Sequence, residues 1–298
     1  MARSKSLTAT LNIIGAGRLG KTLANLWHHS AQFEIAGICN RTLPSAKAAR
    51  EFIGAGSPCA KISDLPPADC WLIAVGDDEI DTVAQALGRH LSEQRATAHT
   101  VFHCSGALPA AALSHCRPAR IASAHPVHSF AAPEHSLLAL SGSTAALEGD
   151  DEALEVLQPA FTTLGCKTIT LSAEQKVLYH SGSVVACNYL TTLMDLSLQI
   201  FAAAGIDETT AQQLLEPIVM QTARNNFSLG PARALTGPIA RGDLDTIRKH
   251  LAALEPLQPL LAENYRGLGL ATVDLAERAG LDGARASALR TTLKSTAG

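Results

Sequence analysis

The chain has 298 residues, 47% of them hydrophobic and 17% charged, with a formal net charge of −3 at pH 7. That length carries a prior of two domains with ample core, and the small negative charge argues against bulk nucleic-acid binding. The seven cysteines (39, 59, 70, 104, 116, 166 and 187) are scattered without a C-x-x-C. This excludes a disulfide framework and a structural zinc, and fits a reducing cytoplasm. No unbroken apolar run reaches about 18 residues, so no membrane span is expected. Met1-Ala2-Arg3-Ser4-Lys5 carries two positive charges, but the apolar run behind it reads as a strand and not as a signal sequence.

Leu11 to Ile14 has strand composition and runs into Gly15-Ala16-Gly17-Arg18-Leu19-Gly20, after which Leu19, Leu23, Leu26 and Trp27 fall at helical spacing. A G-x-G-x-x-G between a strand and a helix is the setting in which that spacing binds a dinucleotide. Gly15 permits the tight turn, Gly17 lets a pyrophosphate approach the backbone, and Gly20 lets helix and strand pack closely. Ala16 and the backbone at Arg18 and Leu19 complete the cradle at the positive end of the helix. A second strand, Phe33 to Cys39, ends in Asn40-Arg41-Thr42. An NAD-binding chain places an acid about 20 residues past the glycine turn. Three donors stand here instead, which favours the 2′-phosphate of NADP(H). Arg41 would stack on the adenine as well, unless it is a plain surface charge.

Ala46 to Phe52 reads as a helix and Lys61-Ile62 as a weak strand. Cys70 to Val75 is a continuous apolar run, which suits a strand buried on both faces. Gly76 follows it, and Asp77 or Asp78 is expected to cap a helix reaching Leu91. Further strands are expected over Thr100–Cys104, Arg120–Ala124, Ser143–Glu148 and Lys167–Leu171, with a helix over Glu152–Leu164. This rhythm predicts an α/β domain with a doubly wound, mostly parallel sheet of Rossmann type. Ligands then collect at the carboxyl ends of the strands. Val75, Gly76 and Ser105 are therefore cofactor candidates, and Ser105, Gly106 and His125 substrate candidates.

Beyond Ser172 no strand pattern remains, so the domains are expected to be 1–172 and an all-α 173–298. Ser172-Ala173-Glu174-Gln175 matches a capping box that opens a long helix to about Ala204. Val177, Leu178, Ser181, Val184, Val185, Tyr189 and Leu193 would form its buried side. Lys176, His180 and Asn188 are spaced for one face of that helix. Lysine donates a proton, histidine shuttles one and asparagine holds a carbonyl, so these three are the catalytic candidates. The alternatives are a solvated Lys176, a core His180 and a helix–helix amide. Asp207 opens a further helix kinked at Pro217, Asp243 caps a short one, and Pro259–Ala279 and Gly283–Lys294 are the last two. Thr236-Gly237-Pro238 with Arg241 would form an anion-binding loop, or else a helix connection in which Arg241 pairs with Asp243.

The stretches IIGAGRLG, CNRT, HCSGAL, SAHPVHSF, YHSGSVVACNYL and LTGPIARGD together resemble the 6-phosphogluconate dehydrogenase-like superfamily. They are similar in particular to a bacterial family described as a Rossmann-like domain plus a C-terminal helical domain of unknown function, related to ketopantoate reductase. The resemblance implies a catalytic lysine on the first long helix of the second domain, a place taken by His180 in one register and Lys176 in another. It also implies a substrate-binding asparagine, matched by Asn188. His125-Pro126 resembles an H-P element of prephenate dehydrogenases. The reading is a cytoplasmic NADP-dependent oxidoreductase passing a hydride between NADPH and a small carbonyl or 2-oxo acid, similar to ketopantoate reductase. The small residues Ser181, Gly182, Ser183 and Ala186 and the resemblance together imply a homodimer through the helical domain. A prephenate dehydrogenase-like oxidation and a non-catalytic NADP(H) sensor are the alternatives. No metal, nucleic-acid or membrane partner is expected.

Overall fold

The computed structural model describes residues 8–94 and 99–295; the basic stretch Met1 to Lys5 lies outside them. The strands are β1 (Thr10–Ile14), β2 (Glu34–Cys39), β3 (Ser57–Cys59), β4 (Cys70–Ile73), β5 (Thr100–His103), β6 (Arg120–Val127), β7 (Thr144–Gly149) and β8 (Lys167–Thr170). They form one eight-stranded sheet in the order β3-β2-β1-β4-β5-β6-β7-β8. Every pairing is parallel except β6 with β7. The first six strands follow the doubly wound dinucleotide-binding order. The helices of this part are α1 (Arg18–His29), α2 (Leu43–Ile53), α3 (Ile80–Gln94), α4 (Pro133–Ala139) and α5 (Asp151–Thr163).

The apolar run of β4 is buried throughout because both faces of the sheet are covered. Its alternate residues feed separate cores. Cys70 and Leu72 join Leu11, Ile13, Leu23, Trp27, Phe102 and Phe161. Trp71 and Ile73 join Ile14, Ile80, Leu87, Val101 and Ile121. Trp27 meets Phe33, Phe102 and Phe161 edge to face. Its indole Nε1 donates to Ala160 O at 3.0 Å, which ties α1 to α5.

The strand expected at Lys61-Ile62 lies at Ser57–Cys59 instead, and Ile62–Asp64 is a 3₁₀ turn. Pro58 lacks an N–H, and β3 is the edge strand, where that lack costs least. Neither Asp77 nor Asp78 caps α3: Gly76 is the cap residue of a 3₁₀ turn, Asp77–Glu79, and no side chain bonds there.

Compact units divide at Met1–Ala186 and Cys187–Gly298. Strands end near 172, but helix α6 (Ala173–Ser183) belongs to the first unit. Its capping box is present, with Ser172 N donating to Gln175 Oε1 at 2.8 Å. A π-helical turn, Val184–Asn188, follows it. The second unit is helical among its described residues: α7 (Tyr189–Ala203), α8 (Glu208–Leu229), α9 (Pro231–Ala234), α10 (Pro238–Arg241), α11 (Leu244–Leu254), α12 (Pro259–Arg278) and α13 (Gly283–Lys294). Its core is Ile239, Ile247, Leu251, Val273, Ala276, Ala286, Leu289 and Leu293.

The expected apolar side of the long helix is not buried. Val177 is 61% and Leu178 79% exposed, and Val185, Tyr189 and Leu193 are exposed as well. The residue this helix buries is Lys176, with no exposed surface. Among the described residues, 173–203 is also one helical run long and apolar enough by composition to cross a membrane; an 18-residue stretch of it has a mean hydropathy of 1.3 and no buried residue. The run escaped notice in the sequence because Thr191, Asp195 and Ser197 interrupt it.

Candidate functional site

The glycine turn has the shape that a pyrophosphate needs. Gly15 has φ +90°, and a Cβ there would lie 2.7 Å from both Ala74 O and Val75 Cγ1. A Cβ on Gly20 would lie 2.6 Å from Gly15 O, so the start of α1 presses on the turn. Gly17 is the opposite case: its missing Cβ leaves open space, with nothing within 4 Å. Gly17 is the cap residue of α1, no side chain caps the helix, and its first turn carries no acid. The first N–H groups and the positive end of α1 therefore stand before open space. Ala16 is buried, Leu19 half-buried and Arg18 exposed, with Arg18 Nη1 donating to Ala131 O at 3.3 Å.

At the end of β2, Asn40 spends its amide oxygen and one of its two amide hydrogens inside the protein. Its Oδ1 accepts from Ala16 N at 2.7 Å and its Nδ2 donates to Ser45 Oγ at 3.0 Å. Asn40 thus clamps the glycine turn to α2. Thr42 caps α2, its Oγ1 accepting from Ser45 N at 3.3 Å, and keeps its hydroxyl hydrogen for another acceptor. Arg41 is exposed.

Along the same carboxyl edge of the sheet, Ser105 follows β5. Its hydroxyl is not free for a ligand, contrary to the sequence reading. It donates to Asp77 Oδ2 at 2.7 Å and accepts from Ala107 N at 3.2 Å and Leu108 N at 3.0 Å. A serine in the turn after a strand bonds the backbone two and three residues on, and the turn uses up the oxygen. Ser105 N donates to His103 Nδ1 at 3.1 Å, while His103 Nε2 lies 3.1 Å from Pro109 O. A backbone donor at Nδ1 requires the Nε2–H tautomer. Burial pushes the His103 pKa down to about 4.

Lys176 is drawn into this knot and is not solvated. Its Nζ donates to Ser105 O at 3.1 Å and to Ser123 Oγ at 2.7 Å, and Ser123 Oγ itself donates to Ser105 O at 3.1 Å. Burial lowers the pKa of the ammonium, opposed by Glu148, Cys104 and Asp77. Glu148 on β7 is buried and accepts from Ala110 N at 2.6 Å.

Two rings meet over Gly106, and a third lies against one of them. His125 Nδ1 lies 2.9 Å from the Tyr179 hydroxyl. His125 and His180 are edge to face, with ring centroids 5.8 Å apart. A Cβ on Gly106 would lie 2.4 Å from His180 Nδ1 and 3.0 Å from His125 Nε2, so only glycine lets both rings approach. Burial, with the charges of His180 and Lys176 adding to it, pushes the His125 pKa down to about 4. Burial raises the Tyr179 pKa to about 12. His180 Nδ1 is buried without a hydrogen-bond partner, a state that a protein leaves only where something else supplies the bond.

Lys176 and His180 are thus brought to one place with Gly106 and His125, and Val75 and Gly76 follow β4 beside the glycine turn. Asn188 does not continue their face in regular register, because it ends the π-helical turn, and its side chain is exposed. In the second unit Gly237 has φ +97° and is the cap residue of α10, Thr236 and Arg241 are exposed, and Arg285 Nη1 donates to Arg241 O at 3.3 Å. Asp243 caps α11 through Thr246 N at 3.1 Å, and the Arg241 charge helps to lower its pKa.

Sequence reasoning passed over Tyr179, Ser123 and His103, and read Asp77 only as a helix cap. Tyr179 was within reach, since Lys176, Tyr179 and His180 fall at i, i+3 and i+4 of one helix. Ser123 and His103 become polar partners only when strands β5 and β6 pair, with His103 opposite Ser123.

Residues 143–272 match the family described as a domain of unknown function (DUF2520). No curated protein matches the chain. Among solved structures, it is similar to a candidate NADP oxidoreductase of Bacteroides fragilis at 20% identity, covering 91% of this chain and 98% of that one, with a TM-score of 0.74. It is also similar to a Thermotoga maritima protein at 24% identity, covering 90% and 99%, with a TM-score of 0.68. A third is the Plasmodium falciparum pyrroline carboxylate reductase with NADP bound, at 11% identity, covering 96% and 98%, with a TM-score of 0.55. All three share the fold. It is a Rossmann domain followed by an all-α region.

Proposed function

We propose that the chain is an NADP-dependent oxidoreductase that reduces a small 2-oxo acid or related carbonyl compound, with ketopantoate the first substrate to try. One observation carries this reading. The buried, unpartnered His180 Nδ1 and the buried Lys176 ammonium stand at the carboxyl edge of the same sheet that presents an open glycine turn before an acid-free helix start. The Bacteroides fragilis and Plasmodium falciparum proteins are named for NADP, which agrees with the donors at the end of β2.

Gly15, Ala16, Gly17 and Gly20, with the N–H groups of Arg18 and Leu19, would hold the pyrophosphate. Arg41 and the Thr42 hydroxyl would hold the 2′-phosphate, while Asn40 fixes the turn. Val75 and Gly76 would lie against the cofactor. When bound, the nicotinamide supplies the hydride. The protein supplies a place where negative charge on the substrate oxygen is favoured. Lys176 contributes a fixed positive charge there and locks Ser105 to Ser123, and His180 is the group that exchanges a proton with the substrate. Asn188, Thr236, Gly237 and Arg241 are kept as candidates for orienting the carboxylate. A C=N substrate is the second reading, favoured by the pyrroline carboxylate reductase likeness.

The seven free thiols fit a reducing, cytoplasmic setting. The exposed apolar side chains of α6 to α8, among them Leu178, Tyr189, Ile218 and Phe227, support a homodimer in which a second copy covers them, and not a lipid. Asp195, hydrogen-bonded from Gln199 at 2.7 Å, sits on that helix, where hydrocarbon would penalise it.

The test is titration with NADPH and NADH, followed by NADPH consumption with ketopantoate, other small 2-oxo acids and cyclic imines. Preferential NADPH binding with turnover of an oxo acid supports the reading. Turnover of imines alone moves it to the second reading. Binding without turnover turns it into a cofactor sensor, and no binding overturns it.

A further inference from the structure

We propose that Ser45 is a specificity-determining residue for the 2′-phosphate of the cofactor, and that it transmits the capture of that phosphate through Asn40 to the glycine turn. This rests on the NADP(H) reading for the identity of the ligand, while the hydrogen bonds that carry it lie within the protein itself.

A backbone N–H can only donate, so the Asn40 atom 2.7 Å from Ala16 N is the amide oxygen. The amide nitrogen is thereby turned to Ser45 Oγ, 3.0 Å away, and donates to it. With a donor on that side, the Ser45 hydroxyl cannot return its hydrogen to Asn40, and no acceptor among the described residues takes it. Thr42 is in the same position: its Oγ1 accepts from Ser45 N, and its hydrogen has no acceptor among the described residues. Thr42 and Ser45 are exposed, as is Arg41 beside them. Both hydroxyls therefore send their hydrogens outward, to water or to an anion that displaces it. A phosphate offers charged oxygens to such donors, whereas the hydroxyl that stands in its place in NAD(H) offers one neutral oxygen. Helix α2 adds no repulsion, since its first turn carries no acid.

The bonds run in one direction. Ala16 N–H donates to Asn40, Asn40 to Ser45, and Ser45 would donate to the phosphate. Donors aligned head to tail polarise one another, so negative charge met at the Ser45 end strengthens the bond at Ala16. Ala16 belongs to the turn whose Gly15 N also donates to Cys39 O at 2.9 Å, so β2 holds the turn at two successive residues. A phosphate captured at Ser45 thus tightens the turn that would hold the pyrophosphate. Arg41 supplies charge, and Ser45 supplies the link.

The test uses the full chain and reads binding, not turnover. In fluorescence titrations Ser45→Ala should raise the Kd for NADPH about tenfold and leave that for NADH within about twofold of the wild type. Ser45→Thr keeps the hydroxyl and should hold NADPH within about threefold of the wild type. In nitrogen-15 amide spectra of the wild type, adenosine 2′-monophosphate, which has no pyrophosphate, should move the Ala16 resonance, and adenosine should not. Neither should move it in Ser45→Ala, whose remaining spectrum should show the fold intact. Equal rises in Kd for the two cofactors in Ser45→Ala, or no rise, would overturn the specificity role. An Ala16 resonance that adenosine 2′-monophosphate leaves in place in the wild type, or still moves in Ser45→Ala, would overturn the link to the glycine turn. A wild type that binds neither cofactor overturns the cofactor reading and this proposal with it. A wild type that prefers NADPH, with the preference kept in Ser45→Ala, overturns this proposal alone.

Discussion

Replacing Lys176 by methionine should separate stability from activity. The ammonium donates to Ser105 O and Ser123 Oγ, and hydrogen bonds to a charged group contribute about 1.5–3 kcal/mol each. Set against them is the cost of burying the charge, several kcal/mol even after relaxation. Methionine fills nearly the same volume without that cost. No polar atom is orphaned by the change, because Ser123 Oγ already donates to Ser105 O at 3.1 Å. Lys176→Met should therefore unfold within about 2 kcal/mol of the wild type, while turnover falls by about a hundredfold or more. Urea unfolding followed by circular dichroism reads the first quantity, and NADPH consumption the second. The sign of the pH dependence provides a further check. Burial lowers the lysine pKa, so the unfolded chain binds that proton more tightly than the folded one. Wild-type stability should rise as the pH climbs from the lowered value toward the ordinary 10.5, and Lys176→Met should lose that rise. A loss of more than about 3 kcal/mol in Lys176→Met would refute the reasoning, because it would make the ammonium a net stabiliser of the fold.

Acid should weaken the protein through its buried imidazoles. His103 and His125 are held near 4 against an ordinary 6.5, so the unfolded chain takes up protons that the folded chain refuses. That stability is present above 6.5 and is lost as the pH falls toward 4, by about 3 kcal/mol for fully buried His103 and less for His125. Unfolding midpoints across this window should show the slope, and His103→Gln should flatten it. Gly20→Ala puts a Cβ 2.6 Å from the backbone oxygen of Gly15, which cannot swing aside; NADPH binding should weaken at least about tenfold, with a loss of about 1–3 kcal/mol in stability. Arg41→Glu should raise the Kd for NADPH at least about tenfold and leave that for NADH nearly unchanged, as read by fluorescence titration. Light scattering should give twice the chain mass, and Phe227→Asp, changing a side chain 93% exposed in the single chain, should give monomers.

The Rossmann half was legible because its signals are local. The glycine turn, the unbroken CWLI of β4 and the capping box at Ser172 each act within a few residues. The sequence says less where a partner lies far along the chain. Lys176 reads as a catalytic candidate or a solvated lysine, and only the pairing of β5 with β6 creates the two oxygens that draw it inward. Asn40 reads as a phosphate donor, and its bond from Ala16 N appears only with the fold of the glycine turn. The apolar face of α6 reads as core by periodicity, since periodicity records that a face is apolar but not whether the chain itself covers it. The strand at Ser57–Cys59 was missed because Pro58 argues against strands in general, though not against the edge of a sheet.

Every polar group of Ser105 is engaged: its N–H by His103, its carbonyl by Lys176 and Ser123, its hydroxyl by Asp77, Ala107 and Leu108. In the proposed site this wall would be set during folding, and an arriving molecule would not have to order it. The entropy that a mobile loop would surrender on association is already spent. Such a wall favours fast, shape-selective capture over broad tolerance. It should also register as a Ser105 amide among the slowest to exchange with deuterium, whether or not any ligand is bound.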